Sequence, residues 1–343
     1  MANATQRVLI AAPGGSAHPS ARYRPGLLEQ AGTWSVETTS VPSLPTLDQI
    51  DDLTRKGGSD AVLILERVLP GSRETRRLRS VYKKVLLDLD DAVYSVPPAL
   101  SESKSVSALK SLGRLALRGY PRASARRRPL IDTLGSVDYC VVGNSLLGKF
   151  AAPHCQQVVE IPSTVQPLET LPNERDERSL VWIGIADNLQ YLSLLRKPLE
   201  RLHAECDFRL TIVSSRPWAE SPFPVDFVPW SPAAATRVLT KSLIGLAPLV
   251  DHPWTRGKCA HRSIVYGGHG VVPIASPVGI TDEVILDGKT GFLARSESEW
   301  AATIRKLLAD PALTLGVGEQ AWSHVTAKYS DRMAASRWAE IVE

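Results

Sequence analysis

The stretch DAVLILERVLPGSRETRRLRSVYKKVLLDLDD, residues 60–91, decides the fold. DAVLILE (60–66) and KVLLDLD (84–90) are near-continuous apolar runs, with the basic, helix-patterned SRETRRLRSVYKK between them. A strand that faces water on one side alternates apolar with polar residues, whereas one covered on both faces does not. Two such runs joined by an amphipathic helix therefore read as a strand–helix–strand unit of a parallel sheet.

The same alternation extends in both directions. RVLIAA (7–12) is an apolar strand that ends in the loop PGGSAHPSARYR, and a helix follows through Leu27 and Leu28 to Gly32. WSVETTS (34–40), DYCVV (138–142) and QVVEIP (157–162) read as further strands, with GNSLLGKFA as a helix capped by Asn144. QPLETLPNERDER (166–178) is polar and Pro-punctuated, as linkers are. A second series starts at SLVWIG (179–184) and continues through RLTIVSS, VDFVPW, LIGLAPL and VVPIASP to GFLA (291–294). Helix patterns lie between these strands, one of them over 257–268, and the chain closes on a helical segment from about Ser330. The domains expected are 1–163, a linker 164–178, 179–329, and a last helix 330–343 returning to the first domain. Two doubly wound domains bind ligands outside the carboxyl ends of their strands, so a cleft between them is expected.

At 343 residues the chain is long enough for two cores, and 43% hydrophobic with 22% charged residues is ordinary for a water-soluble protein. No apolar run approaches the roughly 20 residues that span a bilayer. The amino end has no basic stretch ahead of an apolar core, so a cytoplasmic protein is expected. Cys140, Cys155, Cys206 and Cys259 are scattered without metal-ligand spacing, which fits reduced thiols. The net charge of +4 is uneven: residues 101–128 carry +7 and the rest of the chain −3.

Several motifs together resemble the retaining, GT-B-fold glycosyltransferases of the "group 1" or family 4 class. These are APLVDHPWTRGK (247–258), SPVG (276–279), DEVILDGKTGFLA (282–294) and ESEWAATIRKLLADP (297–311), with weaker agreement at PSARYRPGLLEQAG (19–32), LLDLDDAVY (86–94) and VVGNSLLGKFA (141–151). The resemblance implies an α/β fold of two Rossmann-like domains facing across a cleft, and transfer of a sugar from a nucleoside-diphosphate sugar. It implies no bound cofactor and no metal requirement. The class usually carries two glutamates in the second domain, where this chain has Gly257 and Val265. It also often places Arg and Lys after the first strand of that domain, whereas IADNLQYL follows Gly184 here.

Chemistry that remains for a donor lies at Gly257, Lys258, Cys259, Ala260 and Arg262. Read as the start of one helix, the segment puts two cations on a shared face and free N–H groups at an anion-attracting end. A cationic surface turn is the plain alternative. Gly14 and Gly15 permit close approach of backbone to a phosphate or sugar, or make only a tight turn. Gly184 and Trp230 complete the donor-side candidates, Trp230 with a core or lid role as its alternative. On the acceptor side stand His18, Arg22 and Arg24. Asp90 and Asp91, beyond a buried strand, are candidates to orient an acceptor hydroxyl or take its proton, against simple turn capping.

Within 101–128 a basic amphipathic helix pattern precedes an Arg cluster. It suits an anionic membrane surface or a phosphorylated acceptor, or is a solvated face. Nucleic acid is not expected, since aromatics are not interleaved with the charge. The expected function is sugar transfer to a glycan, lipid-linked or small-molecule acceptor. The alternatives are a non-catalytic GT-B-like binding subunit and an epimerase or hydrolase.

Overall fold

The computed structural model of the chain describes residues 6–32, 34–98 and 123–343. Two compact units divide it: residues 1–164 with His252–Cys259 and Asp331–Glu343, and Val165–Asp251 with Ala260–Ser330. Each holds a six-stranded sheet in which every pair of neighbours is parallel.

In the first unit the strands are β1 (Gln6–Ala12), β2 (Trp34–Ser40), β3 (Gly58–Glu66), β4 (Tyr82–Leu89), β5 (Tyr139–Val142) and β6 (Val158–Glu160). Their spatial order is β2-β1-β3-β4-β5-β6. The two-residue period of a strand sorts the apolar runs onto two faces. Leu9, Leu63, Leu65, Val85 and Leu87 pack on one side. Val8, Ile10, Val62, Ile64 and Leu86 pack on the other, against Ala334, Trp338 and Ile341 of the last helix, Asp331–Val342. That helix is also pinned by Thr164, which donates to Asp331 at 2.7 Å, and by Lys84, which donates to the Ile341 carbonyl at 2.9 Å. The helix between β3 and β4 ends at Arg79, so Tyr82 already belongs to the strand and VYKK is not helical.

In the second unit the strands are β7 (Ser179–Ile183), β8 (Arg209–Ser214), β9 (Asp226–Pro229), β10 (Ile244–Ala247), β11 (Val272–Ala275) and β12 (Phe292–Leu293). The order β12-β11-β10-β7-β8-β9 is the dinucleotide-fold arrangement, with its reversal between β7 and β10. In the first unit the reversal falls between β1 and β3. Open α/β sheets bind ligands at these reversals, because the connections leave in opposite directions and open a crevice.

The helix expected over 257–268 starts only at His261, and a separate short helix precedes residue 257. The short helix is Pro253–Arg256 and the later one His261–Gly268, and Ala260 between them has φ of +48°. The break coincides with close packing: a Cβ on Gly257 would lie 2.5 Å from that of Ala92, and His252–Cys259 belongs to the first unit. The basic helix pattern at 101–122 lies outside the described residues. Of the following Arg cluster, Arg127 and Arg128 are exposed but Arg126 is buried. Among the described residues no helix is long and apolar enough to cross a membrane.

Trp338 is fully buried between the last helix and the β1–β3–β4 face. Trp338→Ala is expected to lower unfolding stability by about 3–5 kcal/mol, the range for losing a large buried aromatic. Denaturant unfolding followed by circular dichroism measures it.

Candidate functional site

Each reversal carries a polar cluster. In the first unit the strands β1, β3 and β4 deliver His18, Glu66, Arg67, Asp88, Asp90 and Asp91 to one end of the sheet. Gly14 and Gly15, at φ of 82° and 59°, turn the chain after β1 so that His18 and the short helix Pro19–Tyr23 follow at once. A Cβ on Gly15 would lie 3.3 Å from the Ser40 backbone nitrogen. The turn therefore needs glycine for its backbone conformation as well as for space.

Arg24 is not at the opening of the site. It is 2% exposed, and its Nε and NH2 form a fork on Asp88 at 2.7–3.1 Å while NH1 donates to the Ile161 carbonyl at 2.8 Å. Burial works against its charge, but Asp88 outweighs that and holds the guanidinium above its ordinary value. A ligand does not reach it, and its part is to neutralise Asp88, which is itself fully buried. Arg22, by contrast, is exposed over the Tyr23 ring at 4.8 Å.

Glu66 ends β3 with no exposed surface, and neither carboxylate oxygen accepts a hydrogen bond. Burial, then Asp90 and Asp88, push its carboxyl well above the usual range, with Arg67 opposing. Arg67 Nε lies 3.2 Å from it and 3.5 Å from Asp90, and NH1 donates to Asp91 at 2.9 Å. Asp90 also accepts from the Ser20 hydroxyl. Burial raises its carboxyl, but Arg67 and then Arg24 prevail and hold it at about 2. His18 is pressed down to about 4 by burial and by Arg67, against the pull of Asp90. At neutral pH the ring is therefore uncharged.

The segment 252–259 completes this end. Asn144 caps the helix Ser145–Ala151 through its carbonyl and donates to the Gly257 carbonyl at 2.9 Å. Cys259 is buried, with its thiol on the Asp90 carbonyl oxygen at 3.1 Å and pushed up to about 12 by burial. Lys258 Nζ stands 3.5 Å from Asp91 and 5.8 Å from the Trp254 ring centre. The N–H groups of Gly257 and Lys258 are spent on Trp254 and Thr255. Lys258 and Arg262 thus do not share a helix face: Lys258 precedes the helix and belongs to the first unit, Arg262 to the second. Gly257 and Cys259 are packing positions. The Ala92 contact leaves no room for a glutamate at 257.

In the second unit Arg262 sits in the first turn of His261–Gly268 and reaches the end of β7. Its Nε donates to the Ile183 carbonyl at 2.7 Å and its guanidinium lies 4.7 Å from the Trp182 ring centre. A Cβ on Gly184 would fall 3.0 Å from its NH2 and 2.9 Å from the Trp182 ring, so glycine keeps the cation against the strand end. Tyr266, one turn on, accepts from the Ile183 N–H at 3.1 Å and donates to the Leu246 carbonyl at 3.1 Å, tying β7 to β10. Burial lowers Arg262 from its usual value, yet a guanidinium remains charged. Ala260 at the N-cap offers the helix no side-chain cap. Trp230 follows β9 with 39% of its surface exposed, which sets aside a core role.

Sequence reading did not single out Glu66, Arg67 or Ser20. A charged pair, ER, directly after the buried run AVLIL was the available signal. The DLDD carboxylates are interleaved with Arg24 and Arg67, and among the described residues no group of His, Cys, Asp or Glu is arranged to hold a metal ion.

The sequence matches no protein-family model and no curated protein. Solved structures do match. Sucrose-phosphate synthase from Thermosynechococcus elongatus superposes with a TM-score of 0.67 at 14% identity, over 98% of both chains. HepE of Anabaena, in complex with UDP and glucose, gives 0.64 at 12% identity over 98% of this chain and 99% of that one. TarM of S. aureus, bound to fondaparinux, α-GlcNAc-glycerol and UDP, gives 0.61 at 12% identity over 86% of this chain and 58% of that one. The chain therefore has the GT-B fold of these glycosyltransferases.

Two stability effects follow from the first-unit cluster. Arg24→Leu strands a buried Asp88 and is expected to cost about 3–5 kcal/mol, most of it recovered in Arg24→Leu/Asp88→Leu. Glu66, raised in the folded state, supplies stability that is complete below the ordinary carboxylate value and lost as pH climbs through its folded value. Glu66→Gln is expected to gain in melting temperature over the native chain as pH rises from about 5 to 8. Equal pH dependence in the two proteins would show that Glu66 carries no such shift.

Proposed function

We propose that the chain is a retaining glycosyltransferase that moves a sugar from a nucleoside-diphosphate donor to a glycan, lipid-linked or natural-product acceptor. The observation that carries this reading is the Arg262 guanidinium at the β7–β10 reversal beside Gly184. Departure of a nucleoside diphosphate builds negative charge on its phosphates, and a preset cation in a partly dry crevice stabilises that charge. The amino end of the same helix, which has no side-chain cap, adds its dipole. Arg262 thereby takes the part of the Arg and Lys that the class often carries after this strand, and the reading calls on no metal. Structural neighbours crystallised with UDP support the donor class. Trp230, exposed beyond β9, is assigned to the nucleobase end.

In the first unit the loop at Gly14 and Gly15 lets a sugar approach the backbone, with Asp90, Asp91 and His18 beside it. With retention, the leaving diphosphate takes the acceptor proton on the same face, so a carboxylate that orients the hydroxyl is sufficient. Asp91 is assigned that role. Arg24 is withdrawn from the acceptor side because it is buried on Asp88.

One observation favours the rival reading of a non-catalytic binding subunit. Neither usual glutamate is present, since position 257 is a glycine packed on Ala92 and position 265 a valine. Thermal unfolding with UDP, GDP, ADP, CDP and dTDP separates the two. One diphosphate is expected to raise the melting temperature, by the equivalent of about 2.7 kcal/mol at a hundred times its Kd. Arg262→Met, which keeps the stem on Trp182, is expected to abolish the rise. No shift with any nucleotide at millimolar concentration would favour the binding subunit.

A further inference from the structure

Arg67 has no part in the donor chemistry, yet it is the most connected side chain of the first-unit cluster. Its φ of 52° makes it, with Ala260, one of two non-glycine residues in the left-handed region among the described residues. Such a conformation costs energy for a side chain with a Cβ and persists only where the surroundings hold it. Its backbone N–H donates to the Asp88 carbonyl at 3.1 Å, which carries the β3–β4 ladder one residue into the turn. The turn sends the guanidinium back over the sheet end, where it meets groups from three strand ends at once. Nε faces Glu66 at 3.2 Å and Asp90 at 3.5 Å, NH1 donates to Asp91 at 2.9 Å, and NH2 contacts the His18 ring. Only 16% of the side chain is exposed.

Neutralising a carboxylate needs a charge but not a planar fork, and Arg24 already supplies the charge for Asp88. What the fork at 67 adds is geometry: its two terminal nitrogens, held in one rigid plane, contact Asp91 and His18. Both side chains keep part of their surface in solvent, as do Asp90 and Arg67 itself, so a substrate hydroxyl can reach the pair.

We propose that Arg67 is the positioning residue of the acceptor end, holding Asp91 and His18 in the mutual orientation that an acceptor hydroxyl requires. This rests on the sugar-transfer reading. The charged and titratable groups facing His18 are Arg67, Glu66 and Asp90, and those facing Asp91 are Arg67, Lys258 and the Cys259 thiol. Lysine at 67 keeps the charge but reaches fewer of these groups, because it lacks the fork.

The test pairs an activity-independent measurement with kinetics on the full chain, using Arg67→Gln and Arg67→Lys. The His18 ring is titrated by NMR, assigned by the loss of its signal in His18→Gln. In Arg67→Gln the midpoint is expected to rise from about 4 by about one pH unit or more, and in Arg67→Lys by less. With the donor and acceptor that the native chain uses, kcat is expected to fall about a hundredfold in both variants while the donor KM holds. An unchanged His18 midpoint in the variants overturns the proposal. So does native kcat in Arg67→Lys, which would leave Arg67 as a structural charge. If Arg67→Gln does not fold, Arg67→Lys decides alone by the same two readouts. If the native chain turns over no nucleotide sugar, the sugar-transfer reading and the acceptor role of Arg67 fall together, and the His18 titration then shows only whether the Arg67 charge acts on this ring.

Discussion

The Arg24 fork on Asp88 is the interaction on which the first unit's functional end depends. Asp88 and Glu66 lie side by side at the ends of β4 and β3 with no exposed surface, and Asp90 and Asp91 follow within one turn. Two unit charges 4 Å apart repel by about 4 kcal/mol even at an effective dielectric near 20. Four ionised carboxylates could not share this space. Arg24 neutralises Asp88, burial pushes the Glu66 carboxyl well above its usual range, and Arg67 with Lys258 balances the outer two. The result is a polar floor of low net charge with a neutral imidazole beside it. Such a floor suits hydroxyl chemistry better than the capture of a strong anion.

The two sheets carry different groups at their reversals. At the β1–β3 reversal the chain has placed carboxylates and a histidine, while at the β7–β10 reversal it has placed a single cation, a glycine and an uncapped helix end. Balanced charges of both signs at the first and a guanidinium at the second are what the proposed acceptor and diphosphate-bearing donor would each require. On the proposed reading, the absence of the usual glutamates is a change in how the donor is held. Position 257 has become part of the packing of 252–259, where Gly257 touches Ala92 and Cys259 closes on Asp90.

Much of the fold was legible in the chain itself. Continuous apolar runs such as AVLIL and VLLDL announce strands covered on both faces, and their spacing leaves room only for helical crossovers. The Asn144 cap could also be read locally. What escaped were features set by distant contacts. RYR (22–24) looks like a cationic helix opening, and nothing local says that Arg24 turns inward to an aspartate 64 positions away. Likewise RGKCAHR reads as one helix start, because the packing of Gly257 against Ala92 is a long-range constraint invisible to a 3.6-residue period. Arg67 was passed over because its importance comes from a left-handed φ, which residue type alone does not disclose.

The central claim is that Arg262 at the β7–β10 reversal serves a departing nucleoside diphosphate. The most direct measurement is release of that diphosphate from a panel of nucleotide sugars, with and without a mixed glycan and lipid-linked acceptor fraction, in the native chain and in Arg262→Met. The account predicts release with one nucleotide sugar, raised by the acceptor fraction and lost in the variant. Release that is indifferent to Arg262, or none from any sugar despite nucleotide binding, would contradict it.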